Sequence, residues 1–162
     1  MKTVYLIGSL RNPGIRQLAT DIRSAGFDVF DDWHAAGEKA DDCWMEYERM
    51  RGRTYKQALE GYAAEHTFLY DLKHLIRADL CVLALPAGKS SHLEFGYFLG
   101  QGRPGFIYMP TEPERWDVMV KFATGVASSW MELLDLLHSP YDKGHGPTSL
   151  CWQHVLYSRS TG

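Results

Sequence analysis

No apolar run in this 162-residue sequence approaches the ~20 residues that a helix needs to cross a bilayer. No membrane anchor is therefore expected. The opening residues, Met1 to Gly8, are too short and too strand-like for a secretory signal. Cysteine is scarce. Cys43, Cys81 and Cys151 are odd in number and widely separated, so no disulfide framework and no metal-ligand spacing is visible. The expected compartment is a reducing cytoplasm, and neither a metal nor a cofactor is expected. Positive charge is not in excess: 17 Lys and Arg stand against 20 Asp and Glu, a formal net charge of -3. That balance argues against a coat for polymeric nucleic acid or a polybasic membrane surface. A nucleic-acid-related ligand would be a monomeric nucleotide. No internal repeat and no low-complexity segment is present.

What is present reads as one α/β domain of residues 1–137, followed by a C-terminal tail of residues 138–162. Val4 to Ile7 forms a short apolar strand. Asn12 and Pro13 suit the cap and first position of a helix whose Ile15, Leu18, Ala19 and Ile22 share one face, with Gly26 ending it. Phe27 to Phe30 is a second strand. Asp41 to about Leu59 reads as one or two surface helices. Gly61 to Arg77 reads as a helix with Leu69, Leu72, Leu75 and Ile76 inward. Leu80 to Leu85 is a buried strand, Ser91 to about Gly100 a helix, and Gly105 to Met109 a fourth strand. Ser129 and Glu132 suggest a capping box for a last helix. The alternation predicts a three-layer αβα domain with a Rossmann- or flavodoxin-like parallel sheet. Past Leu137 the pattern fades, apart from a strand-like run from Cys151 to Tyr157.

The segment Asp79 to Tyr97 carries the most chemistry. It places Glu94 in the first turn of a helix at the carboxyl end of a central strand, where open α/β sheets bind ligands. Three familiar motifs fail. Gly88-Lys89-Ser90 would need a glycine at position 83 to complete a P-loop, and that residue is Leu83. Gly8-Ser9-Leu10 lacks the further glycines of a dinucleotide fingerprint. His92-Leu93-Glu94 is not a zinc-protease signature. Glu94 also has a purely structural reading, because Ser91-His92-Leu93-Glu94 fits a capping box. Against that stand Gly88, Ser90 and Ser91, which give the loop hydroxyls and amides suited to an anion. The apolar Phe95 and Tyr97 beside the acid favour burial and a raised pKa.

The other candidates also carry two readings each. Tyr5, in the first strand, either packs the core or holds a buried carboxylate. Asp71 lies off the apolar stripe of its helix and is either solvated or functional. Trp33 either stacks on a base or covers the core edge. Arg11 and Asn12 either hold a phosphate or belong to the helix start.

Lys2 to Ser9, Asp71 shortly before a strand, Ser91-His92-Leu93-Glu94-Phe95-Gly96-Tyr97 and Gly102-Arg103-Pro104 together resemble the nucleoside 2-deoxyribosyltransferase family over about residues 1–137. That family includes transferases that exchange bases between deoxynucleosides and hydrolases that cut nucleoside 5′-monophosphates. The resemblance implies that Glu94 is the nucleophile, Tyr5 its orienter and Asp71 the proton-handling partner. It also implies that Gly8, Ser9, Arg11, Asn12, Trp33, Gly88, Ser90 and Ser91 bind substrate. The transferases carry an aspartate six residues before the nucleophile, where this chain has Gly88 beside serines. The expected substrate therefore moves from nucleoside to nucleotide, with water as acceptor.

Three alternatives remain: base exchange between deoxynucleosides, a non-catalytic nucleotide sensor, and a TIR-like NAD-cleaving enzyme. The stretch from His34 to Glu60 is longer than in compact members of the family. A homodimer or larger assembly is expected, with the aromatic helices around Trp44, Tyr47 and Tyr55 at the interface.

Overall fold

The computed structural model describes residues 1–140. The expected strand-like run at Cys151 to Tyr157 lies outside them. Five parallel strands form one sheet in the order β2-β1-β3-β4-β5: β1 (Thr3–Ile7), β2 (Asp28–Phe30), β3 (Leu80–Ala84), β4 (Gly105–Tyr108) and β5 (Gly125–Ala127). This is the flavodoxin-like order, and it reverses between β1 and β3. The expected three-layer α/β architecture is observed.

Alternation along the strands divides the core in two. Val4 and Leu6 of β1 face one side, with α1 (Ile15–Ser24) and α6 (Trp130–His138). Tyr5 and Ile7 face the other, with α4 (Tyr62–Arg77) and α5 (Lys89–Gly100). Gly105 lets α5 approach β4 closely. A Cβ there would lie 2.8 Å from Cys81 Sγ and 2.9 Å from both Leu99 and Phe95. Two further helices, α2 (Ala40–Met50) and α3 (Tyr55–Leu59), fill the interval between β2 and α4. Arg103 ties α4 to α5. Its guanidinium donates to the carbonyls of Leu75 (3.2 Å) and Ile76 (2.9 Å) and lies 4.2 Å from the centre of the Phe98 ring. Those carbonyls end α4, where a cation is favourable.

Several local expectations are corrected. Helix α5 begins at Lys89, with Gly88 as its cap, so Ser91 already lies inside the first turn. The Ser91 hydroxyl donates to the Gly8 carbonyl at 2.8 Å, and no capping box forms. Glu94 therefore sits in the second turn, not the first. Helix α1 is capped by Gly14 rather than Asn12, and the Asn12 carboxamide oxygen accepts from the Gly14 amide at 3.0 Å. On α4, Leu75 is buried, but Leu69 and Ile76 are about half exposed. Of the expected stripe, only Leu75 is buried. At the start of α6, Ser129 accepts from the Glu132 amide as expected, and the Glu132 carboxylate takes its strongest bonds from the amide and hydroxyl of Ser128. Strand β5 was not anticipated by the sequence pattern.

Candidate active site

The reversal of strand order opens a cleft of about 600 Å³ at the carboxyl ends of β1 and β3. Gly8, Ser9 and Arg11, from the loop after β1, form one wall. Gly88, Ser90, Ser91 and Glu94 form the next. Helix α4 contributes Asp71, and the turn after β2 contributes Trp33. Asn12 does not line the cleft, because its side chain is turned back onto the α1 start. Sequence reasoning missed His66, Thr67 and Tyr70, which line the same wall as Asp71. Their signal is helical spacing, since Thr67 lies one turn before Asp71 and His66 one turn before Tyr70.

The two serine-bearing loops are fixed to each other by the bond from Ser91 to Gly8. Gly8 packs closely there: a Cβ would lie 2.4 Å from Ile15 Cδ1, and the Ile15 side chain would have to shift. The Trp33 indole donates to the Leu6 carbonyl at 2.8 Å, which fixes the ring at the end of β1. Ser9 accepts from the Arg11 amide at 3.2 Å. Arg11 pairs with Asp42 at 3.0 Å, and both side chains are more than half exposed. An exposed pair of this kind is worth about 0–1 kcal/mol, so the guanidinium is free to exchange it for an anion in the cleft. Ser90 is exposed beside the first amides of α5, which have no side-chain cap and carry the positive end of the helix dipole.

Three titratable groups meet on the α4/α5 side of the sheet. Tyr5 is fully buried, with its ring 5.0 Å from that of Phe30. Its hydroxyl is the hydrogen-bonding partner of the Glu94 carboxylate. Burial raises the Glu94 pKa to about 7. The Asp71 charge adds to the rise, and the Tyr5 hydroxyl partly offsets it. Burial likewise lifts Asp71 to about 6. The Tyr5 phenol is raised by burial and by both carboxylates, so it remains a proton donor to Glu94 throughout the neutral range. Chemically, the cleft offers one carboxylate to attack or stabilise a cation and a second acid to supply a proton. It also offers hydroxyls and amides for an anion. Among the described residues, no cluster of His, Cys, Asp and Glu could hold a metal ion, and no helix is long and apolar enough to cross a membrane.

No sequence-family model matches the chain, and no curated protein sequence does. Solved structures do. A 2-deoxyribosyltransferase from Bacillus psychrosaccharolyticus is similar with a TM-score of 0.55 at 17% identity, over 86% of this chain and 92% of that one. A conserved protein from Enterococcus faecalis V583 gives 0.57 at 16%, over 85% and 97%. The CMP N-glycosidase BcmB from Clostridium botulinum gives 0.52 at 14%, over 85% and 100%. These likenesses establish the fold across nearly the whole of each neighbour.

Proposed function

We propose that this chain belongs to the nucleoside 2-deoxyribosyltransferase family and cleaves the N-glycosidic bond of a (deoxy)nucleoside 5′-monophosphate, transferring the sugar to water. The observation that carries this reading is the pairing of Glu94 and Asp71, two carboxyls raised to about 7 and about 6 in one cleft beside Tyr5. The fold shared with a 2-deoxyribosyltransferase and a CMP N-glycosidase supports it.

In this mechanism the sugar lies over Glu94. The 5′-phosphate meets Ser90, Ser9, Arg11 and the first amides of α5. The base lies toward Trp33 and α4. A Glu94 oxygen attacks C1′ as the C1′–N bond breaks, and the bonding pair leaves with the base. Asp71 gives that base a proton. Water then attacks C1′, Asp71 takes its proton, and Glu94 departs as a carboxylate. The sugar 5-phosphate is released and the resting pair is restored. Base exchange would differ only in replacing water by a second base. The serines around Gly88, where an acid would disfavour a phosphate, support the phosphorylated substrate. The apolar side chains Leu69, Ile76 and Leu93, exposed on α4 and α5, support assembly as a homodimer. Light scattering that gave a monomer at working concentration would count against the dimer.

A chromatographic screen of nucleosides and nucleoside 5′-monophosphates, each with and without a second free base, tests the reaction. Free base from a monophosphate is expected, with the matching nucleoside at least roughly tenfold slower, since one charged hydrogen bond is worth about 1.5–3 kcal/mol. A new nucleoside in place of free base would mean transfer. No product from any substrate would mean a binding module.

The pH profile is a second test. The reactive pair holds one proton; Glu94, with the higher pKa, keeps it most of the time, and reaction proceeds from the minor form in which the proton is on Asp71 and Glu94 is ionised. The rate is therefore expected to form a bell with its maximum between about pH 6 and 7. Tyr5→Phe removes the group that lowers the Glu94 pKa, so the bell should move to higher pH, with about a tenfold loss of kcat at its peak. A profile left in place by Tyr5→Phe would contradict the orienting role.

A further inference from the structure

In a doubly wound fold, crossovers between parallel strands supply the helices that cover the sheet. The crossover from β4 to β5, residues 109–124, supplies none. It holds one 3-10 turn, Val118–Phe122, and no residue of that turn is buried. Trp116, Val118, Met119 and Phe122 are each more than half exposed. The backbone that carries them is nevertheless tied down. The Asp117 carboxylate accepts from the Met119 amide at 2.8 Å. The Ala123 amide donates to the Val120 carbonyl at 3.0 Å, and the Thr124 amide donates to the Gly105 carbonyl at 2.8 Å.

The sheet is bare beside this turn. Ala127 of β5 is buried on the α1/α6 side. Side chains alternate along a strand, so Val126 faces the α4/α5 side, and it is exposed there. Ala123, between the turn and Val126, packs on the core of that same side. Helix α5 packs chiefly on β1, β3 and β4. Strand β5 is the last in the sheet, with no further strand at its outer edge among the described residues. An apolar face of this kind on an anchored backbone marks a contact site.

The chain itself brings a matching surface to this edge. A Cβ on Gly125 would lie 2.9 Å from Leu136 Cδ2, so the end of α6 rests on the start of β5. Residues 141–162 follow from there, with Leu150, Cys151, Trp152, Val155, Leu156 and Tyr157 close together in sequence. The interval from 140 to 151 can span ~35 Å when extended. Passing round the edge strand takes on the order of 20 Å, two helix diameters. Tethering presents the run at about millimolar effective concentration, on the order of a hundredfold or more above a second copy at micromolar levels.

We infer that residues 150–157 of this same chain seat on the apolar face formed by residues 116–122 and Val126, where the crossover helix is missing. Trp152 and Leu156 fill that face. The inference does not depend on the reaction at the cleft.

Disulfide trapping in the full chain tests it, with Cys151 as the native reporter. Cys43, the exposed thiol, is first replaced by serine, and Cys81 is buried. Val118→Cys, Phe122→Cys and Val126→Cys are then made singly, with Tyr62→Cys, an exposed position on α4, as the control. After mild oxidation, peptide mapping reads the bond to Cys151. At least one of the three should close within one chain roughly tenfold or more faster than the control. The inference is overturned if none does. A bond between two chains, forming faster as protein concentration rises, overturns it in favour of a second copy. Hydroxyl-radical footprinting supplies a readout without new thiols. In the full chain carrying Trp152→Asp and Leu156→Asp, Trp116 and Met119 should oxidise several-fold faster than in wild type. Equal oxidation in the two proteins would also overturn the inference. Base release should be unchanged, since none of the substituted residues lines the cleft.

Discussion

Glu94→Gln protein is expected to release base from a nucleoside 5′-monophosphate at least about a thousandfold more slowly than wild type, a loss of roughly 4 kcal/mol or more in transition-state stabilisation. Glutamine keeps the shape and a hydrogen-bonding oxygen toward Tyr5. It removes the negative charge that faces C1′ and the lone pair that would form the glycosyl ester. Binding of the nucleotide should change little, because the phosphate contacts come from the loops at Gly8–Arg11 and Gly88–Ser91. The loss should therefore appear in kcat, with KM nearly constant. Steady-state kinetics with product chromatography reads both. A variant with normal kcat would remove Glu94 from the chemistry.

The same substitution is expected to make the protein more stable at alkaline pH. The folded-state pKa of Glu94, about 7, lies above its ordinary value of 4.5. The folded chain therefore holds this proton where the unfolded chain has lost it. Stability from the group is fully present below about pH 4.5 and is lost as pH rises through 7. At pH 8 the buried charge is a liability on the order of 2–3 kcal/mol, and Glu94→Gln removes it. Thermal unfolding at pH 8 should then show a Tm roughly 5–10 °C above wild type, with the gap closing toward pH 4. A helix cap would behave in the opposite way, since losing one costs about 1 kcal/mol. A lower Tm for Glu94→Gln at pH 8 would mean that the carboxylate serves the fold.

The sheet was legible in the sequence because β1 and β3 are dense apolar runs, and β3 is buried along its whole length. Strand β5 was not, because Gly125-Val126-Ala127 is three residues long and only Ala127 is buried. The cleft-forming loops after β1 and β3 were also readable, since each follows an apolar strand with glycine and serine.

The capping box at Ser91 and Glu94 fitted the sequence and failed in the fold for a tertiary reason. Helix α5 starts two residues earlier, and the carbonyl of Gly8, 83 residues away in sequence, takes the Ser91 hydroxyl. No local pattern encodes that bond. Helix α4 misled in a similar way. Its leucines suggested one inward stripe, but only Leu75 is buried. Its polar residues Tyr70 and Asp71 turn to the cleft, while His74 stacks on Phe30 at 4.1 Å. Leu69 and Ile76 are left outside. Trp44 and Tyr55 were expected together at a subunit interface. Within this chain Trp44 and Tyr55 meet edge-on, and Tyr47 and Tyr55 remain exposed, so the expected interface is neither supported nor contradicted by that contact.

The central claim is a double displacement at C1′ through Glu94, and methanolysis tests it most directly. A β-configured nucleoside 5′-monophosphate is incubated with wild-type protein in aqueous methanol, and the anomeric proton of the methyl glycoside is read by NMR. Two successive inversions predict the β-methyl glycoside, with retained configuration. An α-methyl glycoside, or the absence of any released base, would contradict a glycosyl–Glu94 intermediate.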